Sequence, residues 1–451
     1  MESLGQCIYA WMEAKDLNVA RLSEKLGFKS KTSIFRLLHG QSNEYSRDRF
    51  YHAIENELDE AWRTRFRTAL LTERIGSQRH SLLREIDHCL FTRYEKDKAL
   101  FGSVPKSERD TILILGCPWA STFSLVDQWL AESADVRVIH YFTRWELLTS
   151  DGLLPGLIGH ITALRYQAVL VDQDEVKSLP LPWNIALRTE DELTRIMLMC
   201  EKTAAWDRMA NGSAWLLALN SQLAHLPLTP LYRFDQLKSV SDYKAFTQQN
   251  YKMEYNRKTL IIKPTPGMQM MPADVVESTF LDYLVHNIEP VAMAQESLIY
   301  TFEKRVRNFY TCKKPRLLVL SVDAMTRFAR TGLMDDQFFA FRPYIKGERI
   351  RVFMILQEFS RRAGVTLRFR KGDSWPISVE VYKDFGALFY PSSTSYNTDL
   401  SNYRELLLPG QEFANLMFQF AEELLFANPP EESVDDTFAF FIREAERDGK
   451  I

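Results

Sequence analysis

The sequence predicts a multidomain chain: an all-α helix-turn-helix N-terminal domain followed by a larger α/β region built on mixed sheet. Three observations predict it. Residues 1–75 carry apolar positions three and four apart, the period of an amphipathic helix. From residue 110 onward, short apolar runs bounded by turn residues alternate with helical stretches, as in α/β layers. At 451 residues the chain has room for about three domains.

Taken in order, "LGQCIYAWMEA" places Leu4, Ile8, Trp11 and Met12 on one helical face. "VARLSEKLG" and "GFKSKTSIFRLLHG" follow as two short helices meeting at Gly27. In "SRDRFYHAIENELDEAW", Phe50, Ala53, Ile54 and Leu58 repeat at helical spacing, and Ser46 is a candidate cap with Arg49 where a capping box prefers Glu. A linker helix is expected over 76–107, with Leu82, Leu83, Ile86 and Leu90 on one face, ending at the polar break "GSVPKSERD".

The α/β region is expected as two domains, 108–225 and 226–451. The first has strands at "DTILILGC", "DVRVIHYF", "QAVLVD" and "WNIALR", with a helix at "STFSLVDQWLAES". Residues 191–210 and 213–226 read as helix. In the second, "KTLIIKP" and "KPRLLVLSV" read as strands, and 272–288, 291–310, 323–332, 346–364 and 411–427 as helices. "VTLRFRKG" and "ISVEVYKDFGALFY" alternate like antiparallel strands. The strand–helix–strand order of 111–142 is loosely echoed by 316–370.

Composition narrows the function classes. Apolar residues make up 46% and charged residues 25%, so the chain is neither disordered nor fibrous. A net charge of −3 excludes nucleic-acid binding over the whole surface; any such contact must be local. The five cysteines are scattered and form no CxxC pair, so neither a disulfide framework nor a zinc site is expected. "MESLGQCIYAWMEAK" does not read as a signal peptide, and no window reaches the ~18 apolar residues that span a bilayer. A cytoplasmic protein with no membrane partner is the expectation.

The front of the chain supplies the local charge. A reading helix needs a supporting helix, a tight turn and an inner apolar face. Leu22, Ser23 and Leu26 suit the support, Gly27 the turn, and Phe28, Ile34, Leu37 and Leu38 the inner face, with Gly40 ending the helix. Lys29, Ser30, Lys31 and Thr32 lie at its N-terminal end, where the helix dipole favours phosphate. Thr32 and Arg36 are four apart and share a face, and Arg47 and Arg49 start the next helix. Residues 21–49 carry seven basic and three acidic side chains, a focused net charge of +4.

These residues resemble the lambda-repressor-like (Cro/XRE-type) helix-turn-helix of bacterial and phage transcriptional regulators. The resemblance covers "IYAWMEAKDLN", "VARLSEKLGFKSKTSIFRLLHG" and the helix after it, under a fifth of the chain. It implies a DNA-binding domain of four or five helices, usually dimeric, whose third helix enters the major groove. One departure stands out: Ser33 holds the usual inward apolar position and Ile34 comes next, as if the turn were one residue longer. The implied DNA-contacting set is Lys29, Ser30, Lys31, Thr32, Arg36, Arg47 and Arg49. The competing readings are a helical module that binds protein and an ordinary helical hairpin.

Elsewhere the chemistry is thin. Gly116 sits in a strand–loop–helix with no GxGxxG or GKS/GKT pattern. Cys117 and His140 form a conceivable pair with no visible orienting partner, and a buried cysteine with a structural histidine is favoured. Met268, Met270 and Met271 suit a core or an adaptable pocket. No histidine pattern suggests a metal, no catalytic set converges and no cofactor is expected. The expectation is therefore a transcriptional regulator that binds double-stranded DNA as a homodimer. Its C-terminal region would sense a small-molecule or peptide effector, dimerise, or both. An interaction scaffold and an enzyme with an accessory helical domain are the alternatives.

Overall fold

The computed structural model describes residues 4–25, 31–39, 47, 50, 51, 53, 54, 58, 59, 62, 63, 65, 66, 69, 77–91, 110–150, 152–161, 163–171, 183–190, 193–200, 203–209, 228–233, 240–275, 278, 292–334, 343–371, 375–392, 404–428 and 432–447. The chain divides into two compact units, residues 1–84 and 85–451.

In the first unit the apolar period becomes helix: α1 (Leu4–Ala14), α2 (Val19–Lys25) and α3 (Lys31–Leu38). Asn18 Oδ1 accepts from the Arg21 backbone N–H at 2.9 Å, which caps α2. Leu4, Ile8, Trp11, Leu22, Ile34 and Leu37 share one core with Phe50, Ile54, Leu58 and Phe66. Ala53, expected on the inner face, is exposed. α1 and α3 approach closely at Gly5, where a Cβ would stand 2.1 Å from the Leu38 carbonyl oxygen. Gly27, Phe28, Gly40, Ser46 and Arg49 lie outside the described residues. α4 (Ser77–Phe91) carries Leu82, Leu83, Ile86 and Leu90 buried, and the boundary between the units falls within it.

The second unit holds two mixed sheets of seven strands each. The first half runs β1 (Asp110–Leu115), α5 (Ala120–Glu132), β2 (Val136–Thr143), α6 (Arg144–Thr149), α7 (Leu153–Gly159), β3 (Tyr166–Val171), β4 (Ile185–Glu190), β5 (Leu193–Cys200) and β6 (Thr203–Met209). Two short strands follow, β7 (Thr229–Pro230) and β8 (Tyr232–Arg233). The second half runs α8 (Val240–Glu254), β9 (Thr259–Lys263), a 3₁₀ turn (Met268–Met270), α9 (Ala292–Thr311), β10 (Arg316–Ser321), α10 (Val322–Thr331) and α11 (Lys346–Ser360). It continues with β11 (Val365–Arg370), β12 (Ile377–Tyr382), β13 (Gly386–Pro391), β14 (Glu405–Pro409), α12 (Gln411–Phe420), a π-helical turn (Ala421–Leu425) and α13 (Val434–Glu446).

Each half has the same topology. β1, β2 and β3 pair in parallel, and β4, β5 and β6 form an antiparallel meander hung on β1. Likewise β9, β10 and β11 pair in parallel, and the meander β12–β13–β14 hangs on β9. The echo expected between 111–142 and 316–370 is therefore displaced by one strand, because β1 corresponds to β9 rather than to β10. Residues 229–233 join the sheets. β7 pairs with β3 and β8 with β14, and Leu231 donates to Ala168 O while accepting from Leu407 N–H. Arg404 adds to the junction by donating to the carbonyls of Ala163 (2.7 Å) and Tyr166 (2.9 Å).

Two expectations are corrected. Residues 193–200 and 203–209, read as helix, are the strands β5 and β6. Pairing along the free edge of β4 overrides a weak local propensity. β11, read as antiparallel, runs parallel to β10. α10 and α11 supply the crossover that a parallel pair requires. Residues 213–226 lie outside the described residues.

Candidate functional site

The short amphipathic helix α3 separates its residues cleanly. Ile34 and Leu37 are buried, while Lys31, Thr32 and Arg36 are exposed along one outer face. Arg47 is half-buried. Lys29, Ser30 and Arg49 lie outside the described residues. Two residues not singled out in the sequence share the outer face: Phe35, 48% exposed, and His39. Their spacing held the signal, since Phe35 follows Lys31 by four and His39 follows Phe35 by four. The outer face thus combines cations, a hydroxyl and an aromatic ring.

In the second unit the loop after β1 holds a tight polar knot. Gly116 and Cys117 both have positive φ, at 73° and 61°. The His140 Nε2–H donates to the Gly116 carbonyl, and its Nδ1 accepts from the Tyr166 hydroxyl at 2.9 Å. That pairing fixes the tautomer, because a carbonyl only accepts. Burial drives the His140 pKa down to about 4, against the opposing pull of the Gly116 carbonyl, so the ring is neutral. The Cys117 thiol is buried and pushed up by desolvation, then by Glu146. Its Sγ faces the carbonyls of Leu115 and Ile185 rather than the imidazole. The conceivable cysteine–histidine pair is therefore not assembled; both groups are packed, in line with the favoured reading of a buried cysteine and a structural histidine. A Cβ on Gly116 would lie 2.5 Å from the Trp183 indole nitrogen, so the glycine makes room for the indole. Trp183 in turn donates to Glu146 Oε1 at 2.7 Å.

The equivalent place in the second half is more highly charged. Lys263, at the end of β9, pairs with Glu380 of β12 at 2.7 Å, their side chains 5% and 3% exposed. Strand pairing sets this up, since Val379 is opposite Ile262 and the flanking side chains share a face. Glu380 also accepts from Gln269 (3.1 Å), Tyr390 (2.8 Å) and Tyr382. Burial raises the Glu380 pKa, but Lys263 and Arg305 outweigh it and bring it down to about 2. Beside it, Arg305 of α9 makes a bidentate pair with Glu254 of α8, at 3.0 and 3.2 Å. Met268, Met270 and Met271 are buried in the surrounding core, which decides between the two roles expected for them. Every carboxylate oxygen of this cluster meets a donor, as buried charge requires. Sequence reading missed the cluster because its four charged members, Lys263, Glu380, Arg305 and Glu254, come from four separate elements and form no local motif.

Among the described residues, no group of three or more His, Cys, Asp or Glu side chains is placed to hold a metal ion. No described helix is long and apolar enough to cross a membrane. No family model matches the chain, and neither a curated protein nor a solved structure matches it.

Proposed function

We propose that the chain is a DNA-binding transcriptional regulator, with the helix-turn-helix formed by α2 and α3 at its front. One observation carries this reading: Lys31, Thr32 and Arg36 stand exposed on the outer face of α3 while Ile34 and Leu37 hold its inner face in the core. A helix presented this way matches the width of the major groove. Lys31 lies in its first turn, where the dipole and the charge both favour phosphate. Thr32 and Arg36 are placed to reach base edges, with Lys29, Ser30, Arg47 and Arg49 completing the set on the strength of the resemblance. One such helix covers half a site, so the protein acts as a homodimer. The C-terminal unit serves sensing, dimerisation or both.

Phe35 favours a second reading. An exposed ring beside Arg36 also suits a helix face that docks on a protein, as in the scaffold alternative. Salt separates the two. Measured by fluorescence anisotropy with the full chain and duplex DNA, regulator binding weakens steeply as salt rises. The slope of log K against log salt equals about 0.9 per phosphate neutralised. A flat response favours the scaffold.

A further inference from the structure

A cavity of about 310 Å³ opens at the carboxyl ends of β10 and β11. Ligands of α/β sheets collect at this end of parallel strands. Val319, Val322, Leu424 and Leu425 give it an apolar wall, and Arg368, Arg370 and Lys371 give it positive charge. Glu432, also in the lining, is exposed.

The arginines differ in a way that decides the argument. Arg370 is satisfied: it donates to both carboxylate oxygens of Asp87, at 2.7 and 3.1 Å, and stacks 3.8 Å over the Phe91 ring. Arg368 is not. Register places it opposite Val319, facing the cavity wall, and its Nε is buried without a hydrogen-bond partner among the described residues. The Phe426 ring, 5.9 Å away, faces its guanidinium. Burial lowers its pKa, and no carboxylate among the described residues opposes the effect. A buried guanidinium nitrogen without a partner costs stability unless something supplies one.

We propose that this cavity binds a small molecule carrying an oxyanion, carboxylate or phosphate, with that group paired to Arg368 and an apolar body against Val319, Val322, Leu424 and Leu425. The guanidinium fork matches either oxyanion, and Lys371 adds to the attraction. This site goes beyond DNA binding and does not depend on it.

Thermal unfolding of the full chain with hexanoate, hexyl phosphate and hexanol tests the proposal. At least one acid raises the melting temperature saturably at concentrations up to about 10 mM, and hexanol does not. The two acids together tell carboxylate from phosphate. Arg368→Gln weakens the acid response by about tenfold or more, while the unliganded variant melts no earlier than the parent. Leu424→Trp, which fills the cavity and leaves Arg368 in place, abolishes the response and covers the case in which Arg368→Gln unfolds. Acids acting no better than hexanol, or a response surviving Leu424→Trp, overturn the proposal.

Discussion

His140 shows what a single buried side chain sets for the whole stability profile. Its folded pKa, about 4, lies below the ordinary histidine value of 6.5. The unfolded chain therefore binds a proton more readily, and folding stability falls as pH drops from 6.5 through about 4. Glu380 adds a second loss lower down, between the ordinary 4.5 and about 2, as its pairing with Lys263 is titrated away. The expected curve declines in two acid steps, and His140→Gln removes the upper one when urea midpoints are compared across pH. Glu380 also makes a prediction at constant pH. Glu380→Gln removes the carboxylate that pairs with buried Lys263 and costs about 3–5 kcal/mol. Adding Lys263→Met to that variant restores part of the loss, which urea denaturation reads directly. Gly5 is the third case. A methyl there meets the Leu38 carbonyl, so Gly5→Ala costs about 1–3 kcal/mol in the first unit, visible as an earlier melting transition.

At the scale of elements, the short strand pair β7–β8 carries more than its length suggests. Leu231 donates its N–H to one sheet and lends its carbonyl to the other. Leu231→Pro deletes the donor and is expected to cost about 3 kcal/mol, with hydrogen exchange rising first along β3 and β14; protection unchanged at both edges would show that the join is not made there. The elements also show what sequence alone conveys. β1 and β2 were legible because "ILIL" and "VRVI" are buried runs between turn residues. α3 was legible because Ile34 and Leu37 keep helical spacing. β5 and β6 were not, since Leu, Met and Ala suit helix and strand alike and only the edge of β4 selects strand. The direction of β11 was hidden because alternation has the same period in parallel and antiparallel pairing. Of the candidate site, the cations of α3 could be read from charge and spacing. Phe35 keeps the same spacing, four residues after Lys31, but that signal is masked because an apolar residue in an amphipathic helix is expected inside. Glu380 and Lys263 are joined only by strand register, which no local pattern encodes.

The whole molecule combines a basic helical front with two topologically equivalent α/β halves in one unit. The halves have diverged in chemistry. At the end of the first parallel strand one holds a neutral histidine and a buried thiol, and the other a network of paired charges. The central functional claim rests instead on α3. The most direct measurement compares affinities of the full chain for duplex DNA, by anisotropy at fixed salt, in two double variants of equal charge. Lys31→Ala with Arg36→Ala alters the outer face of α3. Lys313→Ala with Lys314→Ala removes two exposed cations from the second unit. The account predicts that the first pair weakens binding by about tenfold or more and the second leaves it within about twofold. Equal losses from both pairs, or no loss from the first, would contradict it.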